Sequence, residues 1–175
     1  MALVTGSGED GDSADFVQRP GSRLIKVQSV GLAAFGSINP HTASALAVSE
    51  AFGEPASTAM RGEGCRRAWP SLGLTIAFAA AGGGDPCAEE AHVRRLQLAG
   101  RRAAQEGWRT AEGIRPLQAL GEVRGIYPEA PRARAGRLVL VAPPGGEAGG
   151  GPVMIAAISG GRIERLSFPI DAPSG

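Results

Sequence analysis

Two periodicities organise the chain from residue 22 onward. In His92–Ala99, Val93, Arg95 and Gln97 alternate with Arg94, Leu96 and Leu98, which predicts a β-strand. Further strands are expected at Arg23 to Val30, Cys65 to Trp69 and Leu72 to Ala80, and again at Arg137 to Ala142, Val153 to Ser159 and Arg162 to Phe168. The helical period appears twice. Ala45, Val48 and Phe52 share one face of a helix from about Thr42 to Phe52, with Thr42 or the preceding turn as its cap and Gly53-Glu54-Pro55 as its stop. Leu117, Leu120, Val123 and Tyr127 form a second such face, stopped by Pro128. Gly31 to Pro40 reads as a turn region, Arg101 to Glu106 as a polar connector, and Pro143 to Gly151 as a Gly-rich loop.

These elements repeat in order. Residues 75 apart coincide on the two helices (45 with 120, 48 with 123, 52 with 127), while the preceding glycines, Gly36 and Gly113, lie 77 apart. The expected fold is therefore α+β, with two similar helix-plus-antiparallel-sheet units in one compact body. The expected boundaries are a disordered leader at 1–21, a first unit at 22–106, a second at 107–169 and a tail at 170–175. Either each unit has its own small sheet or both share one.

Composition thins the core. With 43% hydrophobic residues but only 2 Trp, 1 Tyr and 5 Phe, and with 27 Gly and 13 Pro, the interior must be mostly aliphatic. Trp69 and Trp108 are expected to pack the sheet of their own units, and as large amphipathic side chains they are also the candidate interface residues. The balance of 18 Lys plus Arg against 17 Asp plus Glu leaves a formal charge of +1, which supplies no general field for nucleic acid or an acidic membrane. Lys26 is the single lysine, so the positive charge is nearly all arginine. No apolar run has the roughly 18 residues of a membrane-spanning helix.

Cys65 and Cys87, flanking a predicted hairpin, suggest a disulfide and an oxidising compartment. Closing that loop would contribute roughly 3 kcal/mol. Two unpaired buried thiols are the alternative; convergence of both with His41 and His92 on a metal has no supporting spacing, so no metal and no cofactor are expected.

Gly6-Ser-Gly-Glu-Asp-Gly11 matches a dinucleotide-binding glycine pattern, but Glu9, Asp10 and Asp12 put negative charge where a helix N-terminus would meet pyrophosphate, and no apolar helical stripe follows. The Tyr-x-x-x-Lys pair of short-chain dehydrogenases is missing, since Pro131 stands four residues after Tyr127. The segment reads as a solvated leader, or as the tail of a signal peptide whose start lies upstream, so that the signal is absent or truncated here.

Gly36-Ser-Ile and Ala51-Phe52-Gly53-Glu54-Pro55 resemble the signature of the SmpA/OmlA-type lipoprotein module and of the tandem-module β-lactamase inhibitory protein: a glycine turn, a short helix ending in an aromatic, Gly-x-Pro, then antiparallel strands. Trp108 to Gly113-Ile114 and Val123 to Ala130 are similar to a repeat of uncharacterised exported actinobacterial proteins. The resemblance covers roughly Gly31 to Phe168. It implies a secreted or cell-envelope location and a binding role, and it transfers no catalytic residue.

Catalytic signatures are missing. There is no nucleophile elbow, phosphate-binding loop, H-E-x-x-H or calcium loop. His41 and His92 have no partner specified by spacing, and Glu63 with Glu89-Glu90 reads as solvated loop rather than a glycosidase pair. Arg66-Arg67, Arg94-Arg95, Arg101-Arg102 and Arg132/Arg134 would make a basic stripe if they shared a face, but without RNA-module aromatics nucleic acid is not the expected partner. The sequence thus points to a non-enzymatic, extracytoplasmic binding module that takes a protein or envelope component on a sheet face. The alternative is a small hydrolase or ligand-binding enzyme with a dispersed site.

Overall fold

A computed structural model describes residues 21–130, 136–142 and 152–170. Residues 1–20 of the expected leader, the Gly-rich loop at 143–151 and residues 171–175 lie outside the described residues. The elements in chain order are β1 (Leu24–Gln28), β2 (Gly31–Phe35), α1 (Ala45–Phe52), β3 (Ser57–Arg61), β4 (Gly64–Trp69), a 3₁₀ turn (Pro70–Leu72), β5 (Leu74–Ala79), β6 (His92–Ala99), α2 (Gly100–Gln105), β7 (Arg109–Thr110), α3 (Leu120–Ile126), β8 (Arg137–Val141), β9 (Met154–Ser159) and β10 (Arg162–Pro169). The fold is α+β.

One antiparallel seven-stranded sheet, ordered β3-β4-β5-β6-β10-β9-β8, spans the chain. It consists of two meanders, β3 to β6 and β8 to β10, joined where β10 pairs with β6. The two halves therefore share a continuous sheet. Alternation then assigns one face to the core: Leu74, Ile76 and Phe78 of β5, Leu96 and Leu98 of β6, and Leu166 and Phe168 of β10 are all buried. A three-stranded sheet, β2-β1-β7, contributes Ile25, Leu32 and Phe35 to the same hydrophobic cluster.

The helices are placed by backbone hydrogen bonds to the sheet. Ser44 caps α1, its Oγ accepting from the Ala47 N–H at 3.2 Å; Thr42, expected as a cap, lies two residues too early. The Ala45 N–H donates to the Ala91 carbonyl at 2.8 Å, just before β6 begins, and the Leu120 N–H donates to the Gly161 carbonyl at 2.8 Å, just before β10 begins. α3 has no side-chain cap, so this contact satisfies one N–H that would otherwise be open.

Several elements differ from the expectation. Gly31 to Phe35, read as part of a turn region, forms β2; the glycines at both its ends disguised it, and the turn comes one residue later at Gly36, with φ 60°. A Cβ on Gly36 would lie 2.7 Å from the Ser22 carbonyl oxygen, so the chain passes there only as glycine. β3 is an edge strand with all five residues exposed, and it therefore shows no alternation. The expected polar connector is α2, whose single buried side chain, Ala103, generates no period. Ile170, expected in the tail, is buried and donates its N–H to the Arg94 carbonyl at 2.8 Å.

Trp69 and Trp108 are both in the core, 3% and 1% exposed. Their indole N–H groups donate to the carbonyls of Gly53 (2.8 Å) and Leu72 (3.0 Å), which removes the cost of burying them. Phe52 lies 6.3 Å from Trp69 and 6.0 Å from Trp108, and Phe35 lies 4.8 Å from Trp108, by ring centroids. Trp108 thus packs against residues of the first half rather than a sheet of its own. With both rings buried, neither is an exposed interface anchor.

Cys65 and Cys87 form a disulfide. It ties the loop between β5 and β6 to β4, and the same loop is held by the Arg67 guanidinium, which donates to the Cys87 carbonyl at 2.7 Å.

Candidate functional site

The face of the seven-stranded sheet opposite the core is where charge collects. Its strands contain Arg61, Arg66, Arg67, Arg94, Arg95, Arg137, Arg162 and Arg165 but only one carboxylate, Glu164. For a chain with a formal charge of +1 this is strong segregation. Ladder register decides which of these arginines point outward. On β4, Cys65, Arg67 and Trp69 share the inner face with Phe78, Ile76 and Leu74 of β5, so Arg66 and Ala68 face outward with Ala77 and Thr75. On β6, Arg95 and Gln97 face outward opposite Ala77 and Thr75.

Two rows on this face have the same composition. In one, Arg66 of β4, Ala77 of β5 and Arg95 of β6 stand side by side. In the other, the trio is Arg137 of β8, Ala157 of β9 and Arg165 of β10. An inter-strand spacing of about 4.8 Å sets the two arginine Cα atoms of each row roughly 10 Å apart, with a methyl group as the floor between them. Between the two rows runs a small, uncharged row, Ser167-Gln97-Thr75-Ala68-Ser57, in which the Gln97 amide donates to the Ser167 hydroxyl at 3.3 Å.

The alanine floors leave open space. A trough of about 410 Å³ lies between Arg61, Arg66, Arg95 and Arg165 above Ala77 and Gln97, and a narrower one of about 80 Å³ lies between Arg95, Arg137 and Arg165 above Ala157. The ion pairs among the described residues are Arg23 with Glu106 at 3.1 Å and Arg115 with Glu122 at 3.3 Å, neither of which involves this face. The guanidinium groups of the row arginines have no ion-pair partner among the described residues and are rich in N–H donors.

Both rows depend on a β-bulge at the same place. On β6 the register slips so that Val93 faces Phe78 and Arg95 faces Ala77; on β10 it slips so that Ile163 faces Ile158 and Arg165 faces Ala157. Arg94 and Glu164 are the extra residues. Each bulge lets an apolar residue point inward and the arginine two positions later point outward.

The arginine doublets read from the sequence are not brought together as pairs. Arg67 lies on the inner face, its guanidinium 5.4 Å from the Phe78 ring centroid, and its buried Nε has no hydrogen-bond partner among the described residues. Arg101 and Arg102 are on α2, and Arg132 and Arg134 lie outside the described residues. Arg61, Arg137 and Arg165 were missed, although Val93-Arg-Arg95-Leu96 and Ile163-Glu-Arg165-Leu166 carry the pattern that would have found two of the four row arginines.

The two histidines lie apart from the arginine rows. His41 is exposed, and its backbone N–H donates to Asn39 Oδ1 at 3.0 Å; His92 is half-buried at the start of β6. Neither histidine is hydrogen-bonded to a carboxylate among the described residues, and Glu63, Glu89 and Glu90 are exposed and unpaired there. No group of three His, Cys, Asp or Glu able to hold a metal occurs among the described residues. Among the described residues no helix is long and apolar enough to cross a membrane. No protein-family model matches the chain, and neither does any curated protein or solved structure.

Proposed function

We propose that this chain is a non-enzymatic binding module that works outside the cytoplasm, exported or held at the cell envelope, and takes a protein or envelope component on the open face of its seven-stranded sheet. The observation that carries the reading is the set of outward arginines above alanine floors that have no ion-pair partner among the described residues, because such a face holds charge that an acidic partner can neutralise. Arginine is enriched in protein interfaces. The disulfide favours an oxidising compartment.

The module is two tandem units, each a short helix followed by an antiparallel meander. Support comes from the matched bulges at Arg94 and Glu164, the matched Arg-Ala-Arg rows, and the matched helix starts at Ala45 and Leu120. Kinship with SmpA/OmlA-type modules and with the β-lactamase inhibitory protein is part of the proposal, and the order of helix then meander favours it.

The test is site-specific photo-crosslinking in the native extracytoplasmic milieu. A crosslinker at Thr75, in the middle of the open face, is expected to capture a discrete partner, whereas one at Glu50, exposed on α1 on the other side of the sheet, is not. Capture from Glu50 alone, or from neither position, would overturn the reading.

A further inference from the structure

The two arginine rows carry more than a generic basic surface would. Each presents two guanidinium groups across one alanine, a spacing that suits planar anions able to accept paired N–H donors, above all carboxylates. The floors at Ala77 and Ala157 are three strands apart in the sheet and four residues apart along it, which separates them by roughly 20 Å at about 4.8 Å per strand and 3.3 Å per residue. About six residues of extended chain cover that distance. Between the rows such a chain crosses β6 and β10 at Gln97 and Ser167, which are uncharged.

Resting on the binding-module reading, we propose that the Arg66/Arg95 and Arg137/Arg165 rows are two carboxylate clamps that together select an acidic polypeptide segment of a partner protein. Single-stranded nucleic acid is disfavoured because every Phe and Trp in the seven strands, namely Phe78, Phe168 and Trp69, is buried, so no base finds an aromatic ring to stack on. The clamps act jointly. Once one holds a carboxylate, the second binds at an effective concentration set by the short tether.

The experiment measures fluorescence anisotropy with two labelled probes, an oligo-L-glutamate of about ten residues, long enough to bridge both rows at the extended spacing, and tri-L-glutamate, which is too short. The long probe is expected to bind at least ~10-fold more tightly than the short one. Removing either row alone, by R66A/R95A or by R137A/R165A, is expected to bring the long probe down to the affinity of the short one. R101A/R124A removes the same charge from exposed positions on α2 and α3 and is expected to cost less than ~3-fold, the scale of screened long-range attraction. Thermal melts of each variant check that it is folded.

Equal losses in the row and control variants would reduce the effect to net charge and overturn the clamps. Indifference to loss of one row would overturn their joint action. Tighter, row-dependent binding of oligo-dT or of phosphatidylglycerol vesicles would overturn the acidic polypeptide as occupant. Crosslinking from Thr75 without glutamate binding would leave the binding module standing and remove only the clamps, so the two readings fail separately.

Discussion

Replacing Cys87 by alanine isolates the contribution of the disulfide. Cys87 is the partner to change because Cys65 is 1% exposed on the inner face of β4, opposite Phe78 and Met60, where its sulfur also fills space; Cys87 is only half-buried. In the native state the loop keeps other restraints: Arg67 still donates to the carbonyl of residue 87, and Asp85 Oδ1 still accepts its N–H at 2.9 Å. The loss therefore falls mainly on the denatured state, which gains the freedom of a loop with a sequence separation of 22. The chain-entropy relation gives about 3.4 kcal/mol at 25 °C for that length. With a urea m-value of about 2 kcal/mol/M, the unfolding midpoint should fall by about 1.7 M. Urea titrations of oxidised wild type and C87A, followed by tryptophan fluorescence, provide the assay, since Trp69 and Trp108 both report on the core. A midpoint shift under ~0.5 M would refute the reasoning, because the m-value converts it to only ~1 kcal/mol. Arg67 and Asp85 would then be holding the loop without help from the bridge.

Two further outcomes test the packing. Gly73 has φ 65°, and a Cβ there would lie 2.4 Å from the Ala103 backbone nitrogen, whereas Gly160, with φ 60°, faces open space. Both Gly→Ala changes pay the left-handed backbone cost of about 1–2 kcal/mol, but G73A must also displace α2 and should cost at least ~1 kcal/mol more in denaturant titrations; equal costs would show that α2 is not seated against the turn. Tyr127 is the only tyrosine, and burial, followed by the charge of Glu112, raises its pKa above the ordinary 10.0. Because the folded value lies above the unfolded one, its contribution to stability is full below the unfolded pKa and is lost as pH rises through the folded pKa. Spectrophotometric titration should show E112Q lowering the Tyr127 midpoint while leaving it above that of the unfolded chain; a midpoint at the unfolded value would place the ring in water.

Most of the sheet was legible because its core strands alternate cleanly. Leu74-Thr-Ile-Ala-Phe-Ala and Arg95 to Leu98 declare their faces by period, and burial of Leu74, Ile76, Phe78, Leu96 and Leu98 follows it; Val93, grouped by the period with Arg95 and Gln97, is instead buried with Leu96 because of the bulge at Arg94. Elements without a buried face were not legible: β3 has no inward apolar residue, and α2 has only Ala103. The packing of Trp108 was misjudged for a different reason. Its partners, Phe35 and Phe52, are set by the parallel pairing of β7 with β1, a long-range contact that leaves no periodic trace.

The candidate site was hidden by the same geometry that builds it. Adjacent arginines look like a cluster in sequence, yet neighbours on a strand face opposite ways, so Arg66 and Arg67 are divided between solvent and core. The basic surface is assembled instead from residues far apart, Arg66 with Arg95 and Arg137 with Arg165, and only the ladder register brings them level. A one-residue change of register at either bulge would turn Arg95 or Arg165 inward in place of Leu96 or Leu166. Burying an unpaired guanidinium there would cost several kcal/mol. Fold stability and the exposed charge pattern are thus coupled through the same register, so a sequence that folds this way keeps its arginines facing outward whether or not a partner is bound.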